Sequence, residues 1–151
     1  MPKLDTLKRI EQVREFKKDE AEIEVHKAWK ALREEQEVLA VLERLLAETT
    51  ADLEQKKTGS IVNTFELTIY YNYIDTLYKN IDEQMLVVAQ KDDELKDRQA
   101  VLIETYKELK TVGILKDKVI YEDDKRNTAI EQRQMDFAYL SSITRARITH
   151  E

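Results

Sequence analysis

The chain has 151 residues, 37% of them charged, with two glycines, one proline and no cysteine. So few turn-forming residues exclude a loop-rich globular fold, and the absence of thiols excludes disulfides and thiolate metal centres. A formal charge of −6 argues against nucleic acid or an anionic membrane as the main partner.

Pro2 precedes any helix and interrupts nothing. The first helix is predicted from about Lys3 to Lys57, roughly 80 Å at 1.5 Å per residue. Its opening spaces Leu4, Leu7, Ile10, Val13 and Phe16 by threes, and the pattern then shifts register near Asp19. From there Val25, Leu32, Leu39, Leu46 and Leu53 recur every seven residues. The only plausible break is Thr58-Gly59-Ser60, a tight turn over 58–60.

A second helix is predicted from about Ile61 to Leu140, roughly 120 Å, anchored by Leu67, Ile74, Ile81, Val88, Leu95, Leu102 and Leu109 at the same seven-residue spacing. A strict heptad holds an apolar stripe against a partner helix only through a left-handed supercoil. The fold class expected is therefore all-α: a single domain over residues 1–151, an antiparallel two-helix coiled-coil hairpin with the longer helix second. Folding about the turn sets Leu46 against Tyr71 to Ile74, Leu32 against Met85 to Val88, and Leu4 against Ile114.

The other half of the seam is expected four residues after each anchor, at Tyr71, Tyr78, Met85, Asp92, Gln99, Tyr106 and Gly113. Asp92 and Gln99 weaken it opposite the charged stretch from Lys17 to Glu24. His26 and Asp92 form either a buried polar layer, which sets register at some cost in stability, or a pair of solvated neighbours, and the second reading is favoured. Past Leu115 the second helix has no partner, yet Val119, Ile120, Ile130, Met135, Phe137, Leu140 and Ile143 remain to be covered. That tail, continuing to residue 151, either frays or is covered by another protein. Gly113, at the end of the pairing, is an expected bend or fraying point.

No catalytic constellation emerges. The acidic residues stand at helical spacing with Lys and Arg, as solvated faces do; there is no phosphate-cradling Gly-rich loop and no nucleophile with a His partner. His26 and His150 have no neighbours at metal-ligand spacing, so no metal, cofactor or enzymatic activity is expected. No apolar stretch approaches the roughly 20 residues that span a bilayer, and no secretory signal opens the chain, which makes the cytoplasm the expected location. The excess acid gathers between residues 31 and 113, while the flanks are near balance. Apolar groups off the main stripe point to a partner: Ala31, Val38 and Leu45 on the first helix, and Phe65, Tyr70, Tyr71, Tyr73, Leu77 and Tyr78 on the second. Clustered exposed apolar groups mark interaction sites, and tyrosine is favoured there; the competing reading is a wide seam with wet tyrosine hydroxyls.

Three segments resemble the FliJ family, the soluble stalk proteins of the flagellar type III export apparatus. They are Leu4-Asp5-Thr6-Leu7-Lys8-Arg9-Ile10 with Val13 to Ala21, the block Tyr70-Tyr71-Asn72-Tyr73-Ile74-Asp75-Thr76-Leu77 through Ile81 to Gln84, and the tail Asp136-Phe137-Ala138 ending in Arg145-Ala146-Arg147. The resemblance implies a fold similar to the central stalk of rotary ATPases, with no catalysis of its own. It implies an association with the inner-membrane export apparatus. The implied partners are the export ATPase FliI, its regulator FliH, the export gate protein FlhA and the flagellar export chaperones. Carried over by local match, the gate-binding residues are Val38, Leu42, Leu45, Tyr73, Leu77, Asn80 and Gln84. By analogy with rotary stalks, Lys8, Arg9, Arg133, Arg145 and Arg147 contact the ATPase ring. The first helix departs from the family in having aliphatic residues and Thr49 where aromatics are common, and the turn is unusually short. A stalk of a virulence-type secretion system, a coiled-coil chaperone for unfolded clients and a self-associating scaffold are the alternatives.

Overall fold

The computed structural model describes residues 2–59 and 63–149. Ser60 of the expected turn, the expected helix start at Ile61, and His150 and Glu151 lie outside these residues. Two helices account for nearly all of the rest: α1, Pro2–Thr58, and α2, Thr64–Thr149. The fold is an all-α helical hairpin, as the heptads predict. α2 runs on to Thr149 and does not end near Leu140.

Local chemistry explains where the helices stop and start. The Thr58 hydroxyl donates to the carbonyls of Gln55 and Glu54, at 2.9 and 3.2 Å, and the Gly59 amide donates to the Lys56 carbonyl at 3.3 Å. Two carbonyls of the last turn, those of Gln55 and Lys56, are thereby satisfied. Gly59 does not adopt a positive φ, so the left-handed freedom of glycine is not what ends α1. Asn63 opens α2: its side-chain oxygen accepts from the Phe65 amide at 2.9 Å, and its carbonyl accepts from the Leu67 amide at 3.1 Å. With Glu66 three residues on, Asn63 matches a helix-capping pattern. Many threonines inside the helices, among them Thr49, Thr76 and Thr111, turn their hydroxyls back onto the carbonyl four residues earlier. That back-bonding lets a residue of modest helix propensity sit in mid-helix with its polar group satisfied.

The chain comprises two compact units, one of Met1–Lys18 with Thr105–Glu151 and the other of Asp19–Glu104. In the unit Asp19–Glu104, buried or half-buried positions on α1 alternate by threes and fours through Ala21, Val25, Ala28, Leu32, Glu35, Leu39, Leu42, Leu46, Thr49 and Leu53. On α2 they are Leu67, Tyr70, Ile74, Leu77, Ile81, Gln84, Val88, Lys91 and Leu95. The anchors stand where the sequence puts them. The companion row, however, lies three residues after the α2 anchors from Leu67 to Val88 and not four, so Tyr71, Tyr78 and Met85 are exposed; Arg98, three after Leu95, is exposed, and Asp92 is half-buried beside Lys91. Burial of each core leucine stabilises the pairing by about 1.5–3 kcal/mol.

In the other unit the seam is Leu4, Leu7, Glu11, Arg14 and Lys18 on α1, with Thr105, Leu109, Val112, Lys116, Val119 and Asp123 on α2. Ile10, Val13 and Phe16 are exposed, Phe16 by 63%. The threefold apolar spacing is therefore not a seam, and the burial rhythm does not change register at Asp19. Charged side chains occupy the seam instead: Lys116 bonds Glu11 at 2.8 Å, Arg14 pairs with Glu108, and the Lys18 ammonium stands 5.8 Å from the centre of the Tyr106 ring. These partners lie farther along α2 than a three-residue turn dictates, since five residues separate the helices. Pairing consequently extends past the expected limit at Leu115, to Val119. From Asp124 to Leu140 every residue is exposed while the helix continues, and Gly113 lies inside α2 without breaking it.

Candidate interaction surfaces

The residues flanking the seam of unit Asp19–Glu104 sort onto two sides. An open recess of about 500 Å³ is lined by Lys27 and Ala31 of α1 together with Glu94 and Val101 of α2. The rows one position before the anchors on both helices thus share one flank. Extended by heptads toward the turn, that flank carries Val38 and Leu45 on α1 and Tyr73 and Asn80 on α2. All four are exposed, Val38 by 46% and Tyr73 by 44%. Val41 and Ile69, also exposed, widen the patch by one row. Sequence reasoning missed them because it considered only rows adjacent to the stripe; a seven-residue scan one row farther out would have found them.

Three residues of the expected gate-binding face belong elsewhere. Leu77 is only 3% exposed and is a core residue. Leu42 is half-buried in the seam. Gln84 is turned inward: its amide donates to the Glu35 carboxylate at 2.6 Å and to the Glu35 backbone carbonyl at 2.9 Å. The cause is the three-residue offset of the second seam row, which draws Leu77 and Gln84 in and sends Tyr71, Tyr78 and Met85 out. Glu35 with Gln84 therefore forms a polar layer in the seam of this unit. Asp92 instead pairs with Lys96 at 2.9 Å, and that contact, chiefly the hydrogen bond and then the charge, raises the Lys96 ammonium above its usual 10.5.

The tyrosine block is divided among environments. Tyr70 is half-buried, with the Lys56 ammonium 5.1 Å from its ring centre. Tyr71 is exposed, with Lys57 at 5.3 Å. Lys56 also approaches Glu66 at 3.6 Å, tying the end of α1 to the start of α2. Both lysines are held protonated above their usual 10.5, Lys56 by its side-chain contact with Tyr70 and then by the Glu66 charge, and Lys57 by Tyr71.

Of the residues assigned to an ATPase ring, Lys8, Arg9, Arg133, Arg145 and Arg147 are all exposed, and all belong to the unit that contains both chain ends. Lys8 and Arg9 lie in the early turns of α1 and the three arginines on α2, Arg133 in the stretch where no residue is buried. Among the described residues there is no cluster of three or more His, Cys, Asp or Glu side chains able to hold a metal ion, and no helix long and apolar enough to cross a membrane.

A helical hairpin with a heptad seam and exposed flanks is shared by many unrelated chains, so kinship has to come from the sequence as a whole. The family model for the flagellar FliJ protein matches residues 2–146. The chain belongs to the FliJ family. No curated protein matches the sequence. Membership makes it a flagellar export-related helical protein of a family that is a non-catalytic component of the export apparatus. The match includes the exposed stretch Asp124–Leu140.

Proposed function

We propose that this FliJ-family chain is the stalk of a flagellar type III export apparatus, acting by contact and not by catalysis. In this reading it promotes assembly and activity of the hexameric export ATPase ring, joins that ring to the export gate, and escorts empty export chaperones. The observation that carries it is the exposed patch of Val38, Leu45, Tyr73 and Asn80 with Val41 and Ile69, apolar and tyrosine-bearing on one flank of the two helices. Contiguous exposed apolar groups of this kind mark protein interfaces. That patch is the gate-binding surface, with Leu42, Leu77 and Gln84 supporting it from within. The exposed cations Lys8, Arg9, Arg133, Arg145 and Arg147 are the ring contacts. The family match favours a flagellar system over a virulence-type one.

The test measures hydrolysis by the cognate export ATPase with and without this protein, and gate affinity for variants. Addition of the protein should raise hydrolysis and ring formation, and the double variant Arg145→Glu, Arg147→Glu should reduce the effect. Tyr73→Ala should weaken gate binding about tenfold or more, as loss of an aromatic hot spot does, at unchanged melting temperature. Leu77→Ala is the control: it should lower stability by about 2–5 kcal/mol through a core cavity. No stimulation at saturating protein would overturn the stalk reading, and unchanged gate affinity for Tyr73→Ala would overturn the assignment of the patch.

A further inference from the structure

Two exposed stripes of α2 share one spacing and carry opposite charge. The first lies in the unit Asp19–Glu104, off the patch above: Thr68, Tyr71, Asp75, Tyr78 and Asp82. All five are exposed, Tyr78 by 55%. They follow one another by three, four, three and four residues, so they share one side of the helix. Along that side phenol rings alternate with carboxylates.

The second stripe lies in the other unit, where α2 has no packed neighbour. It consists of Arg126, Ile130, Arg133, Phe137 and Leu140, again all exposed, Phe137 by 72%. Read from its C-terminal end it runs Leu140, Phe137, Arg133, Ile130, Arg126, also by three, four, three and four. Set antiparallel, the two stripes match at every step. Tyr71 meets Phe137, Tyr78 meets Ile130, Asp75 meets Arg133 and Asp82 meets Arg126, with Thr68 against Leu140. Set parallel, the steps fall out of phase and carboxylates meet apolar groups. The bordering charges agree with the antiparallel match. Lys79 borders the first stripe on one edge, and the residues that reach that edge from the second, Asn127 and Gln134, are uncharged. Lys57, 5.3 Å from the centre of the Tyr71 ring, borders the other edge, on the side of Asp136. Among the described residues no ion pair engages Asp75, Asp82, Arg126 or Arg133.

We propose that the exposed stretch of α2 in one copy docks antiparallel on the Tyr71–Tyr78 stripe of a second copy. The same chain cannot supply the occupant, because α2 is unbroken from Thr64 to Thr149 and does not return on itself. Charge complementarity selects the second copy: the carboxylates of one stripe take the guanidinium forks of the other, a favoured pairing, while the rings between them cover apolar groups. About four turns of each helix take part, so association is weak and rises with concentration. Neither stripe overlaps the Val38–Tyr73 patch. The contact does not rest on the stalk reading, but it covers Arg133, so self-association and the proposed ring contact compete for that side chain.

Sedimentation equilibrium of the full chain, from micromolar to millimolar concentration and without any ATPase, tests the proposal. Reversible self-association is expected for the unmodified chain. Asp75→Arg and Arg133→Asp should each weaken it about tenfold or more, because each sets like charges together. Both substitutions in one chain should restore it, since the pair is rebuilt with its signs exchanged. All these positions are exposed, and circular dichroism should show unchanged helicity. The chain has no cysteine, so the arrangement can also be read directly. Under mild oxidation Tyr78→Cys chains mixed with Ile130→Cys chains should form a mixed disulfide, and mixed with Glu131→Cys chains, one position off the stripe, far less. A chain that stays monomeric throughout would overturn the proposal. Association insensitive to both single reversals, a double variant no stronger than the single ones, or equal cross-linking to positions 130 and 131 would overturn it as well.

Discussion

Gly113 lies in the interior of α2 at a half-buried position. A Cβ built there meets nothing nearer than the Glu11 Oε2 at 3.9 Å, an ordinary van der Waals distance, and the residue does not need a positive φ. Neither space nor backbone conformation therefore requires a glycine, and its flexibility destabilises the helix by about 1 kcal/mol relative to alanine. Gly113→Ala should raise the melting temperature by about 2–4 °C for a chain of this size. A lowered melting temperature by circular dichroism would show that the carboxylate of Glu11 cannot share the site with a methyl group. The sequence identified Gly113 as a weak point in α2. It could not show that the helix passes through it, because the partner lending support, Glu11 with Lys116, stands in the seam as a charge pair where hydrophobic periodicity is blind.

At the scale of the helix, the anchors were legible because Leu, Ile and Val recur at seven-residue spacing with nothing of similar chemistry competing for them. The companion row was not legible. Three residues after the α2 anchors stand Tyr70, Leu77, Gln84, Lys91, Arg98 and Thr105, mostly polar; four residues after stand Tyr71, Tyr78 and Met85, which look better suited to a core. Packing geometry decided against composition: an antiparallel seam alternates three and four, and the long side chains of Gln84 and Lys91 reach bonding partners from within it. The same substitution misled the reading of α1, where Glu11, Arg14 and Lys18 are inside and the more apolar Ile10, Val13 and Phe16 are outside. The long exposed stretch of α2 carries its own expectation. With no packed neighbour from Asp124 to Leu140, helicity there rests on propensity alone, which is marginal in water. Amide hydrogens beyond Asp123 should exchange many-fold faster than those of Ile81 or Leu95 in the free chain, and protection in that stretch equal to the core would mean that a cover exists even in isolation.

For the molecule as a whole, the two units differ in what holds them. Asp19–Glu104 buries Ala21, Leu32, Leu53, Leu77, Ile81 and Leu95, whereas the unit of both chain ends buries Val112 and Val119. The latter relies on Glu11–Lys116 and Arg14–Glu108 in its seam. Solvent-accessible ion pairs are weak and screened by salt, and hold a seam far less firmly than a leucine layer. The unit of the chain ends should therefore unfold first. Trp29 provides a local reporter, since it lies in the other unit and is the only tryptophan. In urea, far-ultraviolet circular dichroism should lose signal before Trp29 fluorescence changes. Early melting of the exposed stretch after Asp123 would contribute to the same phase, so the decisive variant is Glu11→Gln. It removes the charge that bonds Lys116 and also the main cause of that lysine's raised pKa. Glu11→Gln and added sodium chloride should both move the early phase to lower urea and leave the Trp29 transition in place. Coincident transitions by the two probes, unmoved by either change, would indicate one cooperative unit and a chain-end seam as strong as the leucine core.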